Sequence, residues 1–128
     1  MRIVIGTPSQ YTPSRLLGTS VPTNLEPGGY FVSLYDDRLV ASLYVTKYAM
    51  SYVVRNVFVD PALRGKGYGR KVMEATLAHL VPKGLDIVLY VEPSNTPAIS
   101  LYKSLGFTLA KKGAFKGDKY RLVSKHTV

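Results

Sequence analysis

The sequence contains no cysteine. That excludes a disulfide framework and a thiolate nucleophile, and with them the small stapled scaffolds of secreted proteins. Histidine is scarce too: His79 and His126 are the only two, and neither lies in a local cluster with other ligating residues, so no metal site is expected. Long apolar runs are missing, since charge or proline interrupts each one well before the roughly 20 residues of a membrane span. Met1-Arg-Ile-Val-Ile-Gly6 reads as a strand and not as a secretion leader. A cytoplasmic protein with no membrane partner and no metal is the resulting expectation, as a monomer or homodimer. What is present is enough apolar material, 46% of 128 residues, to fill one core, and the length leaves room for a single domain over 1–128.

Acidic residues are also few, 8 against 17 Lys and Arg, and the imbalance is uneven along the chain. Residues 1–55 carry five Lys/Arg against three Asp/Glu, and residues 56–128 carry twelve against five, so +7 of the net +9 lies in the second part. A positive field of that kind speeds capture of a phosphate-bearing ligand. Solvated surface lysines account for the same counts, and a nucleic-acid partner is compatible with them, although no base-reading motif accompanies the charge.

Periodicity divides the chain into strands and two helices. After the strand at 2–6, residues 8–28 are rich in Pro, Ser, Thr and Gly and read as a loop region. Tyr30–Tyr35 and Leu39–Thr46 form a hairpin around Asp36-Asp37-Arg38, and Tyr52–Val59 is a third strand rich in β-branched and aromatic residues. A helix over Tyr68–Leu80 sets Val72, Met73, Thr76, Leu77 and Leu80 on one face, and Pro82 and Gly84 end it. Leu85–Val91 reads as an apolar strand of the buried kind, parallel to the one before the helix because a crossover helix separates them. A second helix starts at Pro97 with Thr96 as its cap and stops at Gly106. Residues 107–110 and 119–124 close the sheet as a hairpin around Lys111–Asp118.

The junction at 57–69, Val-Phe-Val-Asp-Pro-Ala-Leu-Arg-Gly-Lys-Gly-Tyr-Gly, carries the chemistry. A strand passes through a proline turn into a glycine-rich loop and directly on into a helix, which builds a cradle for phosphate. Gly65, Gly67 and Gly69 let the backbone approach a ligand, and the helix starting near Tyr68 adds its unpaired first-turn amides and the positive end of its dipole. Arg64, Lys66 and Arg70 surround the loop with charge. A nucleoside-triphosphate loop would need Ser or Thr after Gly65-Lys66, where Gly67 stands. A dinucleotide fingerprint would need a third glycine at Arg70 and a carboxylate near Leu89-Tyr90.

The loop instead resembles the Arg/Gln-x-x-Gly-x-Gly/Ala coenzyme A loop of the GNAT superfamily of N-acetyltransferases, matched by Arg64, Gly67 and Gly69. The second half of the resemblance is more specific. Asn95, Ala98, Tyr102, Gly106 and Phe107 match, in order and spacing, that family's Asn-x-x-Ala, helical Tyr and Gly-Phe. The resemblance covers about residues 30–123. It implies an α+β fold with a mixed, mostly antiparallel sheet that splays between the strands at 52–59 and 85–91, flanked by helices. It implies acetyl-coenzyme A as co-substrate, with direct transfer of its acetyl group to a primary amine.

By that resemblance, backbone groups of Val57 and Val59 bind the pantetheine arm and polarise the thioester oxygen, while Arg64, Gly65, Lys66, Gly67, Tyr68, Gly69 and Arg70 hold the diphosphate. Tyr102 protonates the leaving thiolate, and Asn95 contacts the arm because Ser94 and Thr96 can cap the helix in its place. As plain sequence pattern, Tyr102 reads as core, since it shares a stripe with Ala98 and Leu105 and an aromatic in such a stripe is usually a packing residue. No carboxylate occurs over 47–59 to serve as general base. Tyr90 occupies a position where some relatives carry Glu, and Glu92, two residues on and on the same side of a strand, can relay a proton through water or stand as a surface charge. The short, broken segment at 8–28 implies an open acceptor site, which suits a protein or peptide amine. Aminoacyl-RNA, a small amine, and a non-catalytic acyl-coenzyme A sensor are the alternatives.

Overall fold

Alternating apolar and polar residues, with many β-branched and aromatic side chains, favour pleated strands with one buried face. In the computed structural model, which describes residues 2–6, 29–114 and 117–123, these segments join in one seven-stranded sheet. The strands are β1 (Arg2–Gly6), β2 (Tyr30–Asp36), β3 (Arg38–Tyr48), β4 (Ser51–Val59), β5 (Asp86–Val91), β6 (Thr108–Ala114) and β7 (Gly117–Leu122), in the order β1-β2-β3-β4-β5-β7-β6. Two helices, α1 (Tyr68–Leu80) and α2 (Thr96–Ser104), follow β4 and β5. The loop expected over 8–28 lies outside the described residues.

All neighbours pair antiparallel except β4 and β5, which are joined through α1 and pair parallel. The hairpin between β2 and β3 is tighter than its three polar residues suggest. Asp36 pairs with Arg38, and Asp37 alone makes the turn at φ 64, a left-handed conformation that Asp tolerates better than most residues. Val72, Met73, Thr76 and Leu80 of α1 are buried, and the three apolar ones join Val32, Leu43, Val54, Ile87 and Leu89 in the core. Each such side chain contributes roughly 1.5–3 kcal/mol by leaving water. The buried Thr76 hydroxyl is satisfied by donating to the Val72 carbonyl at 2.7 Å.

The last hairpin and the start of α2 differ from the sequence expectation. The last hairpin is longer than 107–110 and 119–124, because β6 continues through Lys111, Lys112 and Gly113 to Ala114. As the edge strand it exposes Thr108 to Gly113 on both faces, so it carries no apolar alternation to announce it. Helix α2 begins at Thr96, one residue before Pro97, and its cap is Asn95 and not Thr96. Strand β5 ends at Val91, and Glu92 already belongs to the following turn, where its carbonyl accepts from Asn95 N at 2.9 Å.

Candidate active site

The sheet opens where β4 bends. Pairing between β4 and β5 is confined to Ser51–Asp86, Tyr52–Ile87 and Val53–Val88, and past Val53 the two strands part. The cause lies on the other edge of β4. Tyr44 pairs with Arg55 but Ser42 pairs with Phe58, so β4 carries one extra residue opposite Leu43, a β-bulge that bends its strand and raises its twist. The extra residue also shifts the alternation: Tyr52 and Val54 face the core before it, and Val57 and Val59 pack against the same core after it. The expected splay therefore lies where the resemblance implies, with the backbone of Val57 and Val59 along one wall and Leu89–Val91 along the other.

Asp60 organises the exit from β4. Its Oδ1 accepts from Ala62 N at 3.0 Å, its amide donates to the Val40 carbonyl at 2.9 Å, and its other carboxylate oxygen is paired with Arg38. This holds the single turn at Pro61–Leu63 and delivers the chain to the loop. Arg64 folds back over that turn, donating from Nε to the Val59 carbonyl at 3.2 Å with its guanidinium 5.8 Å from the Phe58 ring centre. One of the backbone groups assigned to the pantetheine arm is thus engaged by Arg64 in this structure.

The loop glycines have different reasons to be glycine. Gly65 and Gly67 adopt φ +81 and +86, and a Cβ on either would meet nothing within 4 Å. They keep a left-handed turn open without filling it. Gly67 is also the N-cap residue of α1, and no side chain caps that end, so its first-turn amides are not occupied by a cap. Gly69 is a packing residue: a Cβ there would lie 3.5 Å from Val59 and 3.8 Å from Leu101. Arg70 donates to Ser104 Oγ at 2.5 Å, tying α1 to α2, and the Tyr68 hydroxyl reaches Asp36 Oδ2 at 3.4 Å. Arg64 and Lys66 are exposed beside the loop. The structure brings 64–70, the end of β4 and α2 together at one mouth of the splay.

Tyr102 is buried, 7% exposed, in the cluster that includes Leu89, Val91 and Phe107, with its ring 6.0 Å from that of Phe107 in an edge-on contact. Burial pushes its pKa above the usual phenol value, so the group is held protonated. The core reading and the proton-donor reading of Tyr102 are therefore compatible. Asn95 departs from expectation: its Oδ1 accepts from Ala98 N at 3.3 Å as the helix cap, so that oxygen is committed to α2.

Tyr90 and Glu92 are not brought together. Tyr90, 37% exposed, lines a groove of about 380 Å³ with Tyr48, Val53, Arg55, Lys111 and Lys119. This groove opens on the face away from the core, because Ile87, Leu89 and Val91 of β5 join the core and Tyr90 alternates with them. Glu92 is exposed past the strand end and lines no part of it. Lys111 and Lys119 were visible only as basic residues, and Arg55 as a strand residue; only strand register gathers them. Among the described residues, no three His, Asp or Glu side chains form a group that could hold a metal, and no helix is long and apolar enough to cross a membrane.

A parallel pair of strands split by a bulge, with an uncapped glycine-loop helix at the mouth of the split, defines a fold for holding an extended phosphate-bearing ligand. The chain belongs to the acetyltransferase (GNAT) family, whose sequence model matches residues 8–107. It is similar to a mycothiol acetyltransferase of Thermobispora bispora, 40% identical over 94 residues that cover 65% of this chain and 31% of that protein. The chain spans about a third or less of the curated relatives it matches. In fold it is similar to the ribosomal-protein-S18-alanine N-acetyltransferase of Escherichia coli, with TM-score 0.67 and 19% identity over 99% of this chain and 97% of that one. The PaiA N-acetyltransferase of Thermoplasma acidophilum, solved with coenzyme A, gives TM-score 0.65 and 18% identity over 73% and 59% of the two chains.

Proposed function

We propose that this protein transfers the acetyl group of acetyl-coenzyme A to a primary amine in a ternary complex. The observation that carries the reading is the bulge-driven splay of β4 from β5, open beside the unfilled Gly65–Gly67 turn. The amides of the turn and of the start of α1, with Arg64 and Lys66, hold the diphosphate. The pantetheine arm enters the splay as an added strand, and main-chain groups at Val57 and Val59 position the thioester; Arg64 yields the Val59 carbonyl as the arm enters. The amine attacks the thioester carbon, its N–C bond forms as the C–S bond breaks, and Tyr102 gives its proton to the departing sulfur. The protonated amide nitrogen then loses a proton through water, a step for which Glu92 is an exposed acceptor, and a proton from water restores the Tyr102 phenol. Tyr90 lines the approach of the amine.

For the acceptor, the name shared by the relatives at 36–43% identity favours a small molecule over the protein or peptide amine suggested by sequence. A groove of about 380 Å³ is of the size that takes such a group. A peptide amine is the second reading, favoured by the open end of the groove at Tyr48, which is 70% exposed. The test is thermal stabilisation by acetyl-coenzyme A, followed by release of thiol in the presence of small amines and short peptides. Stabilisation together with amine-dependent thiol release supports the reading. Absence of stabilisation overturns it, and stabilisation without turnover of any amine identifies an acyl-coenzyme A sensor instead.

A further inference from the structure

Arg55 of β4 and Tyr90 of β5 both line the groove where the two strands part. From Tyr90 a row runs through the sheet: Tyr90 pairs with Lys119 of β7, and Lys119 with Lys111 of β6. All four line the same groove, and every charged side chain in that lining is a cation. Two lysines directly opposite each other on neighbouring strands repel and cost stability. Among the described residues neither Lys111 nor Lys119 has an ion-pair partner. The carboxylates on the strands of this row are engaged elsewhere, Asp118 by the Gly113 amide at 2.9 Å and Asp86 by Arg121 at 3.7 Å, and Glu92, exposed past the end of β5, lines no part of the groove. Arg55 is fixed at the groove by donating from Nε to Thr46 Oγ1 at 3.2 Å.

We propose that the groove binds the acceptor through an anionic group, so that the substrates are amines that carry a carboxylate or a phosphate at a distance from the amine. This rests on the acetyltransferase reading. Lys111 and Lys119 supply charge-assisted hydrogen bonds to the anion, and the phenols of Tyr48 and Tyr90 add donors and apolar walls. The same cations act on the other end of the acceptor. A positive surrounding disfavours an ammonium and favours the neutral amine that attacks, which lessens the need for a dedicated base on β4.

The test titrates glycyl-leucine, glycyl-phosphoserine amide and, as the probe without an anion, glycyl-leucine amide into the protein with and without saturating coenzyme A, read by calorimetry at low salt. At least one anionic probe is expected to bind about tenfold or more tightly than the probe without an anion, and the preference shrinks as salt screens it. The carboxylate and phosphate arms distinguish which anion the groove takes. In the Lys111→Gln/Lys119→Gln variant the preference disappears while thermal stability and coenzyme A affinity are retained. Equal binding of all three probes, no binding of either anionic probe, or a preference that survives in the double variant overturns the proposal. Loss of coenzyme A binding with the anion preference intact overturns the acetyltransferase reading alone.

Discussion

Replacing Gly67 with Asp separates a ligand cradle from a merely structural turn. The native φ of +86 is left-handed, and a Cβ there meets nothing within 4 Å, so the folded state suffers backbone strain and no collision. That strain is about 1–2 kcal/mol for an ordinary residue, with Asp toward the low end. It is a minor part of a typical stability of roughly 5–15 kcal/mol, and the variant is expected to fold. Binding is affected far more. A new carboxylate about 4 Å from a bound phosphate costs about 1 kcal/mol if fully solvated and about 4 kcal/mol at an effective dielectric near 20. Coenzyme A affinity should therefore fall by about fivefold to a thousandfold. Calorimetry gives that number directly. Thermal unfolding gives it independently, because ligand at about 100 times its Kd stabilises the wild type by roughly 2.7 kcal/mol and, at the same concentration, should stabilise the variant by only about 0.1 to 1.8 kcal/mol. Gly67→Ala, with the same strain but no charge, should lose less affinity. Gly69→Ala should be neutral or slightly stabilising, since its Cβ makes ordinary contacts of 3.5 and 3.8 Å within a helix. A Gly67→Asp protein that folds and binds coenzyme A as tightly as wild type would refute the assignment of the 64–70 loop.

Other perturbations address the remaining parts of the argument. Tyr102→Phe keeps the ring packed on Phe107 and removes the proton donor, so kcat should drop about a hundredfold or more with coenzyme A affinity unchanged, as steady-state kinetics beside calorimetry will show. Because burial raises the Tyr102 pKa, the alkaline limb of the rate profile assigned to this phenol should lie above the ordinary tyrosine range; a limb below it that vanishes in Tyr102→Phe would contradict the buried, protonated state. Tyr30 is pushed up to about 12 by burial and then by Tyr52, and its hydroxyl is buried with no hydrogen-bond partner among the described residues. Its neutral form is the folded one, so its contribution is complete below pH 10.0 and is lost as pH climbs toward about 12; Tyr30→Phe should flatten that alkaline loss in denaturant titrations at little cost at neutral pH. Gly117→Ala would set a Cβ 2.7 Å from the Val91 carbonyl at φ +112 and should destabilise by about 2 kcal/mol or more, whereas Gly113→Ala, with nothing within 4 Å, should cost about 1 kcal/mol.

Residues 68–80 and 30–59 were legible because local chemistry and tertiary burial agree there. The stripe of Val72, Met73, Thr76 and Leu80 has helical spacing in any context, and it faces the core. The edge strand β6 was only partly legible, because Lys111, Lys112 and Gly113 have neither apolar alternation nor a buried face. The cap of α2 was misread for a different reason. Ser94, Asn95 and Thr96 are all good capping residues, and only the backbone path decides which side chain reaches Ala98 N. Glu92 was paired with Tyr90 by strand alternation, which holds only while the strand lasts, and β5 stops at Val91.

The amino-acid order by itself determined the chemistry of the glycine loop, the helix that follows it and the Asn95–Phe107 segment, since each depends on residues close together in the chain. Tertiary structure alone decided where β4 leaves β5, because a bulge is a relation between two strands and its extra residue can be counted only against Ser42 and Tyr44. It also decided that Tyr90, Lys119 and Lys111 stand in one row, through strand pairings that no local pattern records, and that Arg55 lines the same groove. The glycine loop is local and was readable; the groove beside Tyr90 is built across five strands and was not.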